Sequence, residues 1–234
     1  MKDNVKAGQK KKANKEKIME AALQIFAEKG YQETTISEIS KKANVADTTI
    51  YEYFDGKEDM LFSVSEKITQ QSIDFTNQIL PFMRDPVSKI RTYLQIATMT
   101  LENNPFYAAV CVLELKTNRK FHLSKSYQTF KESAGMILDF IKEGIEAGVF
   151  RKDIDPYLMR ATFIGAIEHV CARQQLLGIP LDLKRCVDPL VALLLEGASV
   201  REKTQITCPL EPARRLEHLD KAIKTDGRRT GEKG

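Results

Sequence analysis

The 234-residue chain has ordinary fractions of apolar (42%) and charged (29%) residues, and its longest apolar runs are too short to cross a bilayer, which excludes a membrane-spanning class. Because no apolar run follows the Lys-rich first residues, as one would in a secretory signal, we expect a cytoplasmic protein. The net charge is +4, but the positive charge is concentrated at the two ends: residues 1–17 contain seven lysines and residues 214–234 contain seven Lys or Arg. This distribution is typical both of ends that bind a polyanion and of solvated tails.

Helix signals dominate the chain. It lacks the alternating β-branched runs of strands, and its turn residues are spaced at helix length, so we predict an all-α fold. Residues 1–13 and 205–234 are charged and only weakly periodic. We therefore expect a basic disordered tail before the first helix and a polar C-terminal tail after the last one.

The first predicted helix runs from about Asn14 to Lys29. It ends before Gly30, because glycine readily adopts the left-handed conformation that stops a helix. Its apolar residues recur at the spacing of one helical face: Ile18, Ala21, Ala22, Ile25 and Phe26.

The second and third predicted helices form a helix-turn-helix. The second begins at Thr35, where Thr35-Ile-Ser-Glu38 has the pattern of a capping box. After a break at 44–46, a short third helix begins at Asp47 or Thr48 and ends at Phe54, with Ile50 and Phe54 facing inward. A helix, a three-residue break and a short helix are the plan of this DNA-binding motif.

The remaining predicted helices follow in chain order. The fourth opens at a second capping pattern, Asp55-Gly-Lys-Glu58, and runs to about Leu80, where Pro81 stops it. Further helices are predicted at 86–103, 106–120, 124–147, 156–178 and 183–203. Pro189 either restarts the last helix or kinks it.

The outer face of the third helix is expected to enter the major groove of duplex DNA. Tyrosine hydroxyls suit phosphates, and tyrosine rings suit thymine methyl groups. The residues expected on this face all carry polar, hydrogen-bonding groups: Asp47, Thr48, Thr49, Tyr51 and Tyr53.

The segment Ile18–Leu61 resembles the DNA-binding domain of the TetR family of transcriptional regulators. The resemblance implies a helix-turn-helix DNA-binding domain over residues 14–60 and a helical ligand-binding and dimerisation domain over residues 61–204. The matching residues are Ala22, Phe26, Gly30, Thr34-Thr35, Ile39, Val45–Phe54, Lys57-Glu58 and Leu61.

The resemblance also implies roles for single residues. Thr48 stands where glycine is commoner in the family, and Asp47 replaces a commonly basic or polar residue. Asp47 either caps the third helix, the alternative that we favour, or accepts a hydrogen bond from a cytosine amino group. The base-reading positions are Asp47, Thr48 and Tyr51, and the phosphate contacts are Thr35, Thr49, Tyr53 and Lys57.

The N-terminal lysines have two interpretations. They follow the DNA backbone, as the arms of similar regulators do, or they belong to a solvated tail. If Lys10–Lys12 contact phosphates, the DNA affinity of the full-length protein should fall more steeply with salt than that of a protein truncated before them.

The second domain is expected to form a homodimer, because two recognition helices must reach major-groove faces about 34 Å apart. The predicted helices at 156–178 and 183–203 each contain an apolar segment. Phe163–Ala172 is apolar almost all round, although Glu168-His169 interrupts it, and Val187–Leu195 is rich in Leu and Val. Two such helices from each subunit would form a four-helix bundle, which is the usual interface of the family. The alternative is that both helices belong to the core of one chain.

The helices from about Pro86 to Leu177 are expected to enclose a pocket for a small hydrophobic effector. The segments Ala109–Lys116 and Gly144–Phe150 are similar to the FadR branch of the family, whose members release DNA when they bind long-chain acyl-CoA. Lys116 stands where arginine is more usual in that branch, so the resemblance does not carry over a phosphate contact at this position. A multidrug or other hydrophobic effector is the alternative. The candidate lining residues, equally suited to a plain core, are Phe106, Tyr107, Val110, Leu113, Phe121, Tyr127, Phe130, Ile137, Phe163 and His169.

No catalytic, phosphate-cradling or metal-ligand pattern occurs in the sequence, so we predict no enzyme activity, no cofactor and no metal site. The scattered cysteines Cys111, Cys171, Cys186 and Cys208 are expected to be reduced thiols. The expected function is a ligand-responsive repressor that binds a palindromic operator. The alternatives are an activator of the same fold, an architectural DNA-binding protein, and an enzyme with a basic appendage.

Overall fold

The computed structural model describes residues 2–178 and 182–198, and within these ranges it contains nine α-helices and no β-strand, which confirms the all-α prediction. The predicted tail at 205–234, Cys208 and the end of the predicted helix at 183–203 lie outside the described residues. The helices are α1 (Lys2–Lys29), α2 (Ile36–Ala43), α3 (Asp47–Tyr51), α4 (Lys57–Ile79), α5 (Pro86–Asn103), α6 (Pro105–Val110), α7 (Ser126–Glu146), α8 (Pro156–Leu177) and α9 (Leu183–Ala198).

Helix α1 is longer than predicted. It begins at Lys2 and not at Asn14, so the described residues of the predicted tail at 1–13 are helical. Five of residues 2–13 are Lys and two are Ala, which are strong helix formers, and this propensity outweighs the lack of an apolar stripe. All five residues of the predicted apolar stripe are buried: Ile18, Ala21, Ala22, Ile25 and Phe26.

Local sequence signals set the geometry of α2 and α3. Thr35 and Glu38 form both hydrogen bonds of the predicted capping box at the start of α2. Asn44 ends the helix in the left-handed conformation, with φ 55°. The short α3 is fixed from within by Ile50 and Phe54, which are buried as predicted.

Helix α4 begins differently from the prediction. Its N-cap is Gly56, whose position carries no side-chain hydrogen bond, so Asp55 is not the cap. Instead the backbone amide of Asp55 donates to Asp59 Oδ2 at 3.2 Å. The aspartate that reaches back to the free amide thus lies inside the helix, and the helix still starts where predicted.

The helix predicted at 106–120 is irregular. It begins as α6 and continues as a π-helical segment, Cys111–Leu115, which we call the π segment. Five residues are too few for an apolar pattern to distinguish a π-helix from an α-helix, so the sequence could not predict it. Pro189, by contrast, lies inside α9, which continues through it.

Two hydrophobic cores hold the helices together. The first joins α1–α4 to residues that follow the end of α4 by 28 to 42 positions, including Tyr107, Val110, Leu115 and Phe121. The second is formed by α5, α7, α8 and α9, with Phe163 and Val187 among its fully buried side chains. The helix-turn-helix therefore shares its core with α6 and the π segment.

Close packing at Gly144 in the second core leaves no room for a side chain, and this can be tested by substitution. A Cβ atom at Gly144 would overlap the ring of Phe150, which is buried, whereas a Cβ at Gly135 on the same helix meets no neighbour. We expect Gly144→Ala to lower the free energy of unfolding in urea by about 1–3 kcal/mol. Gly135→Ala is the matched control and should raise stability by about 0.5–1 kcal/mol. Equal effects of the two substitutions would contradict this packing.

Candidate nucleic-acid interface and adjoining cavity

The outer face of α3 presents the predicted polar side chains to solvent. Tyr51 is 60% exposed, Thr48 is exposed, and Thr49 and Tyr53 are half-buried. The opposite face carries Ile50, which is fully buried. A short helix with an apolar inner face and hydroxyl groups outside has the character expected of a DNA-reading element.

Asp47 is the first residue of α3, and its role differs from the favoured prediction. The N-cap is Ala46, which offers no side-chain hydrogen bond, so the interpretation of Asp47 as the cap is wrong. Its carboxylate instead accepts a hydrogen bond from the hydroxyl of Ser40, a buried residue of α2. This bond ties the two helices of the motif together. The second carboxylate oxygen leaves the predicted cytosine contact open.

Thr35 is committed to its own helix. Its hydroxyl accepts from the Glu38 amide at 3.2 Å and donates to Glu38 Oε2 at 3.0 Å, and its backbone amide donates to the same oxygen. The hydrogen bond from Lys29, followed by those from Thr35, lowers the pKa of Glu38 to about 2. Because both donors of Thr35 are used, this geometry argues against its predicted phosphate contact.

Lys57 is a structural tie. Its ammonium donates to three carbonyl oxygens of the loop between α1 and α2: Tyr31 at 2.8 Å, Gln32 at 2.9 Å and Thr34 at 3.0 Å. The same ammonium lies 4.6 Å from the centroid of the Tyr31 ring. An ammonium has three donors, and all are used here, which argues against the predicted phosphate contact of Lys57. Nothing in the local sequence indicated this role.

The basic N-terminal part of α1 lies beside α3 and the residues that follow it; we call α3 the reading helix. Lys10, Lys11 and Lys12 are exposed. The Nζ of Lys11 lies 5.9 Å from the centroid of the Tyr53 ring, and that of Lys15 lies 5.3 Å from the centroid of Phe54. The lysines are therefore held by a helix next to a predicted DNA contact. The helix propensity of the segment was the signal for this placement.

The π segment contacts the helix-turn-helix through Glu114. Its Oε1 accepts a hydrogen bond of 3.2 Å from the backbone amide of Tyr31, at the end of α1. Tyr31 is therefore held from two sides, by Glu114 at its amide and by Lys57 at its carbonyl. The partners lie 83 positions apart in the sequence, so no local pattern predicts the bond.

A cavity of about 170 Å³ lies behind this contact, between α4, α5, α7, α8 and the segment from Tyr107 to Lys116. Hydroxyl pairs line it: Thr69 with Tyr107 and Tyr93 with Ser133, each pair at 3.1 Å. Burial raises the pKa of Tyr107 well above its ordinary value, so this hydroxyl stays protonated. The walls also include the ion pair of Lys116 and Glu168.

The predicted pocket residues divide into three groups. Tyr107 and Phe130 line the cavity as predicted. Val110, Phe121, Ile137 and Phe163 are buried in the two cores, and Tyr127 packs edge-on against Phe121. Phe106, Leu113 and His169 are exposed and do not line it. For these eight the pocket interpretation finds no support, because apolar spacing alone does not separate a cavity wall from a filled core.

Glu168 and His169 point in different directions, as adjacent residues on a helix do. Glu168 faces the cavity and pairs with Lys116, whereas His169 lies on the exposed side of α8. The described residues contain no cluster of His, Cys, Asp or Glu suited to a metal ion. Nor is any helix within them long and apolar enough to cross a membrane.

Comparison with known proteins places this geometry in a family. Residues 18–64 match the model of the bacterial regulatory proteins of the tetR family, and residues 64–197 match that of the YsiA-like C-terminal region. The chain belongs to the TetR family. The predicted family and the arrangement of an N-terminal helix-turn-helix before a C-terminal helical domain are thereby confirmed. Proteins of this family are transcription regulators.

Several relatives are transcriptional regulators, and some of them are named as regulators of fatty acid degradation or metabolism. The chain is similar to the fatty acid degradation regulator FadR of Bacillus halodurans, with 31% identity, a TM-score of 0.71 and coverage of 78% of this chain and 98% of that one. It is similar to FadR of Bacillus subtilis in complex with stearoyl-CoA, with 27% identity, a TM-score of 0.72 and coverage of 77% and 97%. The transcriptional repressor KstR2 of Mycolicibacterium smegmatis is 24% identical over 79% of this chain and 90% of that protein.

The two parts of the DNA-facing surface predict different behaviour on substitution. Tyr51→Ala should reduce discrimination between a selected operator and random duplex DNA by about 1–3 kcal/mol, because Tyr51 projects from the reading helix. The melting temperature should be nearly unchanged, since the side chain is largely exposed. Fluorescence anisotropy with an operator selected from random duplexes measures both affinities.

Alanine at Lys10, Lys11 and Lys12 together is the contrasting variant. If these lysines contact phosphates, binding to all duplexes should weaken alike, and the slope of log affinity against log salt should fall by about 0.9 for each lost contact. An unchanged salt slope would show that the lysines are only solvated.

Normal operator selection by Tyr51→Ala would contradict the placement of α3 as the helix that reads DNA.

Proposed function

We propose that this protein is a homodimeric transcriptional repressor that binds a palindromic operator and leaves it when a hydrophobic effector, of the long-chain acyl-CoA class, occupies the cavity. One observation carries the proposal. The segment that lines the cavity with Cys111 and Lys116 also holds the helix-turn-helix, through the bond from Glu114 to Tyr31.

A direct route leads from the cavity to the reading helix. Movement of the π segment displaces Glu114 and with it the backbone of Tyr31. The same residue is held by Lys57 at the start of α4, and α4 passes along the cavity at Thr69 and Ser72. Both walls of the cavity therefore meet at the loop between α1 and α2. An effector changes DNA affinity only if it binds more tightly to the protein state in which this loop is displaced than to the state that binds DNA.

The size of the cavity supports this coupling. Sites for drug-sized ligands are roughly 300–1,000 Å³. The observed cavity of about 170 Å³ is below that range, so a long chain enters only if the surrounding helices separate. Effector binding and helix movement are then one event, which is the requirement for a ligand that releases DNA.

The acyl-CoA class is supported by the FadR relative that binds stearoyl-CoA. The half-exposed Lys116 supplies a cation at the cavity, and its present partner is Glu168. Because Glu168 already pairs with this cation, the cavity can take the apolar end of such an effector without leaving a charge unpaired.

The dimer is supported by an apolar surface on α8 and α9. The outward side of α8 carries Leu158, Ala161, Gly165 and Leu176, at the spacing of one helical face. On α9, Leu193 is 69% exposed. Small and apolar side chains allow two helices to approach closely, and two helices from each subunit suffice for a four-helix bundle.

A charge on this surface tests the dimer. Leu193→Glu should convert the protein to a monomer in analytical ultracentrifugation and abolish operator binding, because one reading helix cannot span two half-sites. Leu123→Glu is the matched control, since Leu123 is 89% exposed and lies in the short turn Phe121–Leu123, away from α8 and α9. A Leu193→Glu variant that stays dimeric would exclude this interface.

Operator release is the test of the effector. Stearoyl-CoA should dissociate the wild-type protein from its selected operator in an anisotropy titration, with free CoA and stearic acid as competing probes of the two ends of the ligand. Glu114→Gln keeps the size of the side chain but weakens the bond to Tyr31, since the acceptor loses its charge. This variant should bind stearoyl-CoA normally and release DNA less completely.

The outcomes separate the parts of the proposal. No release of the wild-type protein by stearoyl-CoA would exclude the acyl-CoA class. Release by stearoyl-CoA with equal efficiency in wild type and Glu114→Gln would exclude the route through Tyr31.

A further inference from the structure

A second space lies outside the cavity, in the groove between α4 and α5. Its volume is about 290 Å³. Phe75 on α4 and Met99 on α5 line it and are 45% and 38% exposed. The polar lining residues Gln71 and Asn103 are exposed amides. None of the residues that line this groove, all of them in the described part of the chain, is charged.

The groove and the cavity share a wall of two small side chains. Ser72 of α4 and Thr100 of α5 line both spaces. The Thr100 hydroxyl donates to Ser72 Oγ at 3.3 Å, so this hydrogen bond bridges the partition between them. The single proton of the Thr100 hydroxyl is shared with the carbonyl of Ile96 at 2.8 Å, so separation of the pair leaves Thr100 a partner.

The two spaces complement each other in size and chemistry. The inner one is below the usual volume of a ligand site, and the two together reach the range of roughly 300–1,000 Å³. The outer one offers an aromatic ring and a thioether beside amides, which suits a chain that carries hydrogen-bonding groups but no charge along this stretch.

We propose that the effector enters between Ser72 and Thr100 and, once bound, occupies the groove and the cavity as one continuous site. This inference rests on the proposed function and specifies its site. The ligand class is an elongated amphiphile whose apolar end lies in the inner cavity. Its uncharged polar middle, of amide, ester or hydroxyl character, lies against Gln71 and Asn103.

The position of the partition connects entry to DNA release. Passage of a chain between Ser72 and Thr100 separates α4 from α5 at this point. Ser72 lies fifteen residues along α4 from Lys57, or about 22 Å at 1.5 Å per residue. Because α4 is one continuous helix, its displacement at Ser72 acts on Lys57 and on the loop that Lys57 holds.

A charge in the outer groove is the first test. The probe is 11-(dansylamino)undecanoic acid, whose fluorescence rises in an apolar site. We expect Met99→Arg to weaken its binding at least about tenfold, because a bound chain would desolvate the new cation. Gln95→Arg is the control, since Gln95 is an exposed residue one turn away on the same helix and does not line the groove. Equal binding by the two variants would overturn the inference.

A reversible lock is the second test. In the double variant Ser72→Cys with Thr100→Cys, oxidation closes the partition and should slow uptake of the probe at least about tenfold relative to the reduced protein. Wild type treated with the same oxidant controls for the native cysteines, and circular dichroism verifies the fold. Uptake at equal rates before and after disulfide formation, verified by mass spectrometry, overturns the proposed entrance.

The two proposals fail in different ways. A protein that binds the dansyl probe through the groove but keeps its operator in the presence of stearoyl-CoA retains the site and loses the proposed function. A wild-type protein that binds neither the probe nor stearoyl-CoA overturns the site itself.

Discussion

The geometry of the reading head, by which we mean helices α1–α3, depends on the ammonium of Lys57. Its three hydrogen bonds gather the carbonyls of Tyr31, Gln32 and Thr34 at the start of α4. This loop sets the angle between α1 and α2, and the bond from Ser40 to Asp47 then orients α3 on α2. The charge of Lys57 stabilises the loop because hydrogen bonds from a charged donor are stronger than those between neutral groups. The face presented to DNA is thus fixed from behind.

The same loop is where the two halves of the molecule meet. Glu114 reaches it from the π segment, and the first hydrophobic core continues from Phe26 and Leu61 to Leu115 and Phe121 without a break. A strain applied at the cavity therefore acts on packed side chains and not on a flexible linker. Close-packed interiors transmit such displacements, since they have little free volume to absorb them.

The local features of the reading head were predictable from the sequence, and the long-range ones were not. The apolar spacing of α1, the capping box at Thr35 and the inward position of Ile50 are properties of neighbouring residues, and each holds in the structure. Glu114 and Lys57 act on residues 83 and 26 positions away, and a single sequence carries no signal for such pairs. The helical start of the basic segment was not predicted, because its lysines favour a helix although no apolar stripe marks one.

The cavity lies partly within the region from Pro86 to Leu177 where a pocket was predicted, but most of its wall was not predicted. Aromatic and aliphatic residues at helical spacing were expected to line it, and most of them fill the cores instead. Six of the fourteen residues that line it are Ser, Thr or Tyr, and their hydroxyls bond to one another across helices. These pairings arise only when helices distant in sequence are brought together, so composition along one helix cannot reveal them.

The unbroken first core limits how this protein can be recombined with its relatives. A segment ending near residue 60 would carry Phe26 and Phe54 away from Leu115 and Phe121, and would leave apolar surface uncovered on both fragments. Exchange of DNA specificity between family members by moving the reading head alone would thus produce poorly folded hybrids. A working exchange therefore has to include the π segment together with the reading head. The residues that choose the operator and the cavity wall formed by the π segment are then transferred as one unit.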